Sequence, residues 1–376
     1  MRGPLRVLLP TPDYPPTAGG IQLLLQRLVR DSKCTFEVIT PHSGKMAGSA
    51  HDALDGVTRT PRLPDHRATV ALLNAAAIGR ISATRPDVVL SGHIVTGPAA
   101  LVAKRFLSIP VIQYVYGSEL ARSSLARRVM SAASASIAIS SSTRERSVAL
   151  GAPAARLHVI PPGVDQPASP RGRDQDAARH SPPIVITVAR LSDRYKGFDV
   201  MIRALPLVRA RVPAMRWVVV GEGPLRGELE AMTVSYGVAD CVTFTGALCD
   251  RDRDEWLERA SVFAMPSREL PGGQGGEGFG LVYLEAGTHG LPSVAGNVGG
   301  STDAVIDGAT GVTVDPTDHV AVADAIADLL LEPARSELLG AGAREHAARL
   351  SWAHMARAVD ELIERVVAEA ALKPRR

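Results

Sequence analysis

The stretch that determines the fold is IVITVARLSDRYKG, residues Ile184–Gly197. It opens with a short, mostly β-branched apolar run, which is typical of a strand buried inside a parallel sheet. Arg190 and Lys196 follow that strand directly. Ligands of open α/β sheets bind beyond the carboxyl ends of the strands, so both cations are expected at a ligand-binding edge. Arginine can bind phosphate in a bidentate manner and lysine acts as a compact charge, so we expect a phosphate there.

A second stretch, EGFGLVYLE, begins at Glu277 and ends at Glu285. If a helix starts near Gly280, a rise of 1.5 Å per residue separates the two carboxylates by about 12 Å. The N–H groups of Phe279, Gly280 and Leu281 would lie between them, and a helix N-terminus favours an anion. A ligand with hydroxyl groups at both ends and negative charge between them fits this spacing. The pattern therefore predicts a nucleotide-sugar site.

Predicted strands and helices alternate through both halves of the chain, as they do in α/β proteins with parallel sheets. The strands expected in the first half are residues 5–9, 36–40, 88–91, 111–115, 135–139 and 158–160. Those expected in the second half are residues 184–189, 217–220, 242–245, 262–264, 293–295 and 311–314. Residues 166–183 are polar and rich in Pro, Arg and Asp, which indicates a linker. We therefore predict two Rossmann-like, doubly wound domains, at residues 1–165 and 184–351.

Six short motifs occur along the chain in an order that resembles the retaining glycosyltransferases of family 4. They are Gly19-Gly20-Ile21, Tyr116-Gly117-Ser118-Glu119-Leu120, Ile160-Pro161-Pro162-Gly163-Val164-Asp165, Ala189-Arg190-Leu191 with Lys196-Gly197, Gly221-Glu222-Gly223-Pro224, and the Glu277/Glu285 pair. The resemblance implies the two-domain GT-B fold, with the domains facing across a cleft and a closing helix, about 352–376, that crosses back onto the N-terminal domain. Gln22 after the glycine pair and the glycine-rich segment 271–276 look closest to the branch of bacterial phosphatidylinositol mannosyltransferases.

The implied reaction moves a hexosyl or N-acetylhexosaminyl group from a UDP- or GDP-sugar to an acceptor hydroxyl, with retention and without metal. Negative charge develops on the donor phosphate as the bond to the sugar breaks, and groups aimed at that charge lower the barrier. The predicted catalytic residues are Arg190, Lys196 and Glu277. The predicted donor-binding residues are Gly19, Gly20, Gly221, Leu248, Phe279, Gly280, Leu281 and Glu285. The donor is a substrate, so no cofactor is expected.

The N-terminal domain is expected to bind the acceptor through residues near its strand ends. These are Asp13, His93, Tyr116 and Glu119. Many relatives have histidine where Tyr116 stands, and a phenol with a pKa near 10 is a poor proton acceptor at neutral pH. The family is thought to react on one face of the sugar, with the departing phosphate helping to deprotonate the acceptor. The resemblance therefore implies no protein nucleophile.

Composition and charge indicate a cytoplasmic enzyme with an anionic partner. The three cysteines contain no CxxC pair, and no apolar run is long enough for a signal peptide or a membrane span. Residues 1–165 carry 19 Lys+Arg against 10 Asp+Glu, a net +9, whereas the remainder carries 23 against 29, a net −6. This asymmetry suggests a lipid headgroup, a glycan or a small phosphorylated acceptor, and peripheral contact with the inner face of a membrane. The alternative is a solvated arginine-rich surface. Aromatic residues make up only 4% of the chain, which disfavours nucleic acid.

Three local motifs have competing interpretations. The glycines of residues 221–227 imitate a dinucleotide fingerprint, but the third is one residue late. Asp250, Asp252 and Asp254 imitate a metal-binding motif, yet they more plausibly cap and charge the first turn of a helix. Residues 271–280 lack the lysine and hydroxyl of a phosphate-binding loop. Two functional alternatives stay open: a GT-B-like sugar-nucleotide epimerase or hydrolase, and a non-catalytic nucleotide-sugar-binding protein.

Overall fold

The computed structural model describes residues 3–17, 19–43, 55–121, 123–166, 182–270 and 275–372. The chain forms two compact units, Met1–Gly163 with Trp352–Arg376, and Val164–Ser351. Most of the expected linker, and residues 271–274 of the glycine-rich segment, lie outside the described residues. Within the described ranges, no helix is both long and apolar enough to cross a membrane.

The first unit contains a seven-stranded sheet in which every pairing is parallel. Its strands are β1 (Arg6–Pro10), β2 (Thr35–Pro41), β3 (Val57–Thr60), β4 (Val88–Ser91), β5 (Val111–Val115), β6 (Ala135–Ala138) and β7 (Leu157–Val159). Their order is β3-β2-β1-β4-β5-β6-β7. This doubly wound order places a topological switch between β1 and β4, where the crossovers leave in opposite directions.

Helices of the first unit connect these strands and bury apolar faces against the sheet. They are α1 (Gly20–Asp31), α2 (His66–Thr84), α3 (Gly97–Leu107), α4 (Ser123–Ala132) and α5 (Ser141–Ala149). Leu24, Leu25 and Leu28 form the buried face of α1, with the period of about 3.6 residues expected of an amphipathic helix. A short 3₁₀ turn at Ser118–Ala121 precedes α4.

The last helix of the chain, numbered α13 (Trp352–Leu372), belongs to the first unit, as the family resemblance implied. It packs against α1. Its buried Asp360 accepts hydrogen bonds from Ser32 Oγ at 2.5 Å and from Lys33 N at 2.9 Å, just beyond the end of α1. A carboxylate on one helix therefore satisfies polar groups at the end of another, which fixes where α13 lies on this unit.

Replacing Asp360 with alanine is expected to loosen α13. Each hydrogen bond to a charged group contributes about 1.5–3 kcal/mol, so the variant loses on the order of 3 kcal/mol of stability. Hydrogen exchange followed by mass spectrometry should show faster exchange in peptides of α1 and α13. Glu361→Ala removes an exposed carboxylate at the neighbouring position and should exchange like the parent. Equal exchange in both variants would refute this role for Asp360.

The second unit contains a six-stranded parallel sheet. Its strands are β8 (Ile184–Val188), β9 (Arg216–Val220), β10 (Val242–Gly246), β11 (Val262–Met265), β12 (Ser293–Gly296) and β13 (Gly311–Val314). The order β10-β9-β8-β11-β12-β13 repeats the doubly wound pattern, so the switch point falls between β8 and β11. Both doubly wound parallel sheets are confirmed.

Helices cover the sheet of the second unit. They are α6 (Phe198–Arg211), α7 (Arg226–Ser235), α8 (Asp250–Arg259), α9 (Leu281–Thr288), α10 (Ser301–Ala304), α11 (His319–Leu331) and α12 (Pro333–Arg349). Trp217 is fully buried in the core, and its Nε1 donates to Thr187 Oγ1 at 2.9 Å. Thr187 Oγ1 in turn donates to Ala264 O at 2.5 Å. This buried polar chain joins β9, β8 and β11 beneath the switch point.

Candidate active site

The second unit brings Lys196 and Glu277 together at its switch point. Lys196 follows β8, Glu277 lies between β11 and α9, and Lys196 Nζ donates to Glu277 Oε2 at 2.5 Å. The two side chains are only 12% and 10% exposed. Burial alone would lower the pKa of Lys196, but attraction to Glu277 and their hydrogen bond outweigh it and raise that pKa. The lysine is therefore a cation in a sheltered position where a phosphate is expected.

Arg190 lies in the same loop but in a more open position. Its side chain is 69% exposed, and its guanidinium lies 3.2 Å from Asp193 Oδ2. The phenol of Tyr195 interacts electrostatically with Lys196, Glu277, Asp193 and Arg190, so the three predicted catalytic residues share one neighbourhood. Burial is the main reason that the pKa of Tyr195 is raised. In this conformation, Arg190 lies at the rim of the neighbourhood and Lys196 lies inside it.

Glycines allow the loops at this edge of the sheet to touch. Gly197 has φ +79°, and a Cβ there would lie 2.2 Å from Pro266 O in the loop after β11. Gly221, predicted to contact the donor, has φ +146°, and its Cβ would lie 1.9 Å from Ala189 O after β8. A side chain at either position would force the loops apart. Gly221 therefore lets the backbone after β9 pack directly against the backbone after β8.

Glu277 is held by a further loop that the sequence analysis did not single out. Gly300 N donates to Glu277 O at 2.8 Å, just after β12. A Cβ at Gly300 would lie 2.1 Å from Gly278 O, and one at Gly299, where φ is +63°, would lie 2.9 Å from Glu277 O. Ser267 Oγ also lies 3.4 Å from Glu277 Oε2. Loops after β8 and β11 thus contact the carboxylate of Glu277, and the loop after β12 holds its backbone. In the sequence, only the adjacent glycines 299 and 300 indicated that this loop approaches another backbone closely.

Helix α9 begins one residue later than predicted, at Leu281, with Gly280 as its N-cap at φ +95°. A Cβ at Gly280 would lie 2.4 Å from the ring of Tyr283, so the turn requires glycine. Phe279 is buried, and Tyr283 Oη donates to Met265 O at 2.5 Å. These contacts anchor the start of α9 beside the end of β11. The first N–H groups of the helix therefore lie in the segment that follows Glu277.

Glu285 occupies a different environment from Glu277. It lies on α9, where its pKa is raised mainly by burial, while attraction to Arg253 opposes the rise. Arg253 projects from α8 and also contacts Asp250 at 3.0 Å and Asp254 at 3.0 Å. Leu248 is half-buried in the loop between β10 and α8. The two carboxylates of the Glu277/Glu285 pair thus have separate cationic partners.

The aspartates at residues 250–254 fall in and after the first turn of α8. Asp250 and Asp252 lie in that turn, and Cys249 is the N-cap without a side-chain hydrogen bond. Negative charge at a helix N-terminus is stabilising by about 0.3–1 kcal/mol. The prediction that aspartates charge the helix start is confirmed for Asp250 and Asp252, but the expected capping is wrong, because no aspartate is the N-cap. Across the described residues, no group of three or more His, Cys, Asp or Glu side chains has metal-binding geometry.

In the first unit, the predicted acceptor residues follow the adjacent strands β1, β4 and β5. Asp13 lies after β1 and accepts from Gln22 Nε2 at 3.0 Å. Burial raises the pKa of Asp13, while His66 lowers it. Gly19 is the N-cap of α1, and Gly20 is its exposed first residue. A Cβ at Gly19 would lie 2.3 Å from Gln22 Oε1, so glycine leaves room for the amide that holds Asp13.

His93 follows β4 and caps a short 3₁₀ turn at Ile94–Thr96. Its Nδ1 accepts from Val95 N at 3.1 Å. A nitrogen that accepts a hydrogen bond carries no proton, so the neutral ring has its proton on Nε2. In the half-buried His93, Nδ1 is therefore occupied by the turn.

Tyr116 and Glu119 follow β5, and both are only 4% exposed. Tyr116 N donates to Glu119 Oε1 at 2.6 Å. Burial, with Tyr114, Glu119 and Asp13 nearby, raises the pKa of the Tyr116 phenol well above its usual value. Tyr116 is thus no proton acceptor at neutral pH, and both side chains lie behind the surface at this edge.

Comparison with known proteins decides the family. A profile described as glycosyltransferase family 4 matches residues 20–166, and one described as glycosyl transferases group 1 matches residues 182–332. The chain is 34% identical over 364 residues to the GDP-mannose-dependent alpha-(1-6)-phosphatidylinositol monomannoside mannosyltransferase of Mycolicibacterium smegmatis, covering 92% of this chain and 94% of the relative. The same-named protein of Mycobacterium tuberculosis H37Rv is 35% identical, covering 90% and 93%. The chain belongs to the family 4 glycosyltransferases.

Solved structures of other glycosyltransferases share the fold of this one. The sucrose-phosphate synthase of Thermosynechococcus elongatus superposes with a TM-score of 0.80 at 22% identity, covering 98% of this chain and all of that one. Anabaena Alr3699/HepE in complex with UDP and glucose gives a TM-score of 0.75 at 20% identity, covering 96% of this chain and all of that one. The predicted GT-B fold and glycosyltransferase class are confirmed.

Glu285→Gln is expected to weaken nucleotide binding by this glycosyltransferase about tenfold. The variant removes a charge that a diol would use for two hydrogen bonds, and tenfold corresponds to about 1.4 kcal/mol. Isothermal titration with GDP would measure the loss. Glu230→Gln, on the exposed face of α7, is the matched control and should bind as the parent does. Equal affinities in all three proteins would contradict the assignment of Glu285.

Proposed function

We propose that this glycosyltransferase transfers mannose from GDP-mannose to a hydroxyl group on a phosphoinositol-containing lipid, with retention and without a metal ion. The main support is the buried ion pair between Lys196 and Glu277 at the switch point of the second sheet. Glu277 comes shortly before the start of α9. Support for the donor and acceptor comes from the mycobacterial relatives, whose names specify both. The basic first 165 residues fit an acidic lipid headgroup.

Lys196 and the start of α9 would stabilise the leaving diphosphate. As the anomeric C–O bond breaks, the electron pair stays on the β-phosphate oxygen, and a nearby ammonium group and helix N-terminus stabilise that charge. Lys196 has three N–H donors and uses one on Glu277, so it can bind phosphate without releasing the carboxylate. Arg190, at the rim, can reach a second phosphate oxygen once it leaves Asp193.

Glu277 would bind sugar hydroxyl groups and stabilise the positive charge that develops on the ring. Glu285 would bind the ribose hydroxyls. A retaining glycosidase holds its two carboxyl groups about 5 Å apart, but here one carboxylate precedes α9 and the other lies on its second turn. We therefore assign no nucleophile to the pair. The acceptor oxygen bonds to the anomeric carbon on the face the phosphate leaves, and its proton passes to that phosphate.

Peripheral contact with the inner face of a membrane belongs to the same proposal. Near the start of α2, Arg62, Leu63 and Arg67 are exposed, and at the end of α3 the Phe106 side chain is 74% exposed next to Arg105. Basic residues near anionic lipid each contribute about 1 kcal/mol to binding, and apolar side chains add burial in the interface. This cytoplasmic enzyme would thus meet its lipid acceptor at the membrane surface.

A second acceptor is favoured by another set of relatives. D-inositol 3-phosphate glycosyltransferase 1 of Catenulispora acidiphila is 31% identical over 385 residues, covering 92% of this chain and 90% of that relative. Both groups of names contain an inositol bearing a phosphate. The second candidate is therefore a soluble inositol phosphate acceptor with the same two-unit scaffold.

The test is a transfer assay with purified protein. GDP-mannose and UDP-sugars are each paired with phosphatidylinositol monomannoside in detergent or with inositol 3-phosphate, and one arm lacks any acceptor. We expect mannose on the lipid, with the α-anomer seen by NMR and activity unaffected by a chelator. Equal donor turnover in every arm, including the acceptor-free one, with no sugar transferred to either acceptor would establish the hydrolase alternative. Transfer only to inositol 3-phosphate would establish the second candidate.

A further inference from the structure

Among the described residues, no hydrogen-bond partner is found for four buried polar atoms in β5 and the turn that follows it. They are Gln113 Oε1, Tyr114 Oη, Tyr116 Oη and Glu119 Oε2. The rings of Tyr114 and Tyr116 stack with centroids 5.3 Å apart and an interplanar angle of 10°. Most buried polar groups in proteins are paired, and an unpaired one costs about 1–3 kcal/mol. Such a cluster at a ligand-binding edge suggests a functional role rather than a contribution to stability.

The carboxyl group of Glu119 also holds the backbone in this place. Its Oε1 accepts from Tyr116 N at 2.6 Å, and this closes the turn Tyr116–Leu120 from the inside. Leu120 N donates to Gly117 O at 3.2 Å, and Gly117 has φ +107°, a conformation that favours glycine. The turn thus depends on one side-chain acceptor, the carboxyl group of Glu119. Its other oxygen, Oε2, is free to gain or lose a proton.

The groups that interact with Glu119 make a buried negative charge costly. Burial, with a smaller contribution from Asp13, raises the pKa of Glu119 to about 7, even though hydrogen bonds from Tyr116 N, its own N–H and Ser118 favour the charged form. Asp13 comes from the loop after β1, and Tyr114 and Tyr116 from β5 and its end. His93, at the end of the adjacent β4, caps its own turn with Nδ1. A phosphate-bearing acceptor would add further negative charge at this edge.

We propose that Glu119 is a positioning residue that holds the acceptor-edge turn Tyr116–Leu120, and that binding of an anionic acceptor is accompanied by uptake of one proton at its Oε2. The second part rests on the proposed function, because it requires an acceptor with a phosphate group. The proton comes from solvent and the carboxylate becomes a carboxylic acid, while Oε1 keeps its hydrogen bond from Tyr116 N. Acceptor binding is then strongest below neutral pH.

Proton uptake at Glu119 makes acceptor binding weaker as pH rises. Below the pKa of free Glu119, the group is already protonated and the acceptor binds without proton uptake. As pH rises through about 7, each binding event must take up a proton, so the acceptor KM rises up to tenfold per pH unit. Glu119→Gln cannot titrate but can still accept from Tyr116 N. Its acceptor KM is expected to stay flat between pH 6 and 8.5. Glu145→Gln, exposed on α5, should keep the parental profile.

The positioning role is tested without any acceptor. Glu119→Ala removes the bond to Tyr116 N, so hydrogen exchange in residues 116–120 is expected to accelerate at least tenfold while peptides of the second unit exchange as before. Unchanged exchange in that turn would overturn the positioning role. General acceleration throughout the first unit would also overturn it, because it would reveal a purely structural residue.

Proton uptake is measured by titrating the parent protein with inositol 3-phosphate in two buffers of different ionisation enthalpy at pH 7.5. We expect a difference that corresponds to between half and one proton taken up, and none in Glu119→Gln. Binding without proton uptake, or equal uptake in Glu119→Gln, would overturn the coupling. If the phosphate compound does not bind at all, the soluble candidate acceptor fails and the coupling fails with it, while the transfer assay still decides whether the lipid is the acceptor. The exchange experiment still decides the positioning role.

Discussion

Lys196→Ala is expected to reduce glycosyl transfer at least a thousandfold and to destabilise the second unit at the same time. Loss of one donor aimed at developing charge typically costs 10²–10³ in rate, and here the same residue also orients Glu277. The variant leaves the Glu277 carboxylate buried without its cation. Breaking a buried pair from one side costs about 3–5 kcal/mol.

A double variant separates these two effects. Lys196→Ala with Glu277→Gln removes both charges, so most of the lost stability should return while transfer stays abolished. Arg194→Ala is the matched control, since Arg194 lies in the same loop but pairs with Glu228 on an exposed surface. Steady-state rates and thermal unfolding would be measured on all proteins. Transfer by Lys196→Ala within tenfold of the parent would show that Lys196 is not in the reaction site.

Gly300→Ala is expected to lower kcat about a hundredfold with little change in GDP affinity. The new methyl group would meet Gly278 O at 2.1 Å and Phe279 Cα at 2.6 Å, so the backbone that carries Glu277 must move. A displacement of about 1 Å in a reacting group can cost a hundredfold in rate. Glu285, which is assigned to the nucleotide, lies further along on α9, so GDP should still bind.

The control for this variant is Gly227→Ala. A Cβ at Gly227 would meet nothing within 4 Å, and alanine is favoured over glycine inside a helix such as α7. The measurements are kcat and KM for the donor, together with calorimetry for GDP. A Gly300→Ala enzyme with parental kcat would mean that the loop after β12 does not position Glu277. An equal loss of GDP binding would mean that the loop shapes the whole site.

The sequence predicted strands well where burial leaves a continuous apolar run. Residues 88–91 and 111–115 match β4 and β5, because parallel strands buried on both faces consist almost entirely of apolar residues. Strand β3 was missed. It lies at the edge of its sheet, and only Thr60 of its four residues is buried, so no apolar pattern marks it. The four-residue α10 was missed because so short a helix has no periodicity to detect.

The candidate site was predicted in part for a similar reason. Lys196 and Glu277 were found because charged residues follow an apolar strand and precede a helix. Their direct contact joins positions 81 residues apart and could not be read from local pattern. Gly300 was missed because its role is a close approach between two loops, which depends on sheet order. Glu119 was predicted to contact the acceptor. The burial of its side chain could not be predicted, because the neighbouring Gly117 and Ser118 are typical of an exposed turn.

A crystal structure with a non-transferable GDP-mannose analogue, such as its 2-fluoro derivative, tests the central claim most directly. The account predicts a diphosphate oxygen about 3 Å from Lys196 Nζ, sugar hydroxyls on Glu277 and ribose hydroxyls on Glu285. A diphosphate bound elsewhere, with Lys196 and Glu277 still contacting only each other, would contradict it.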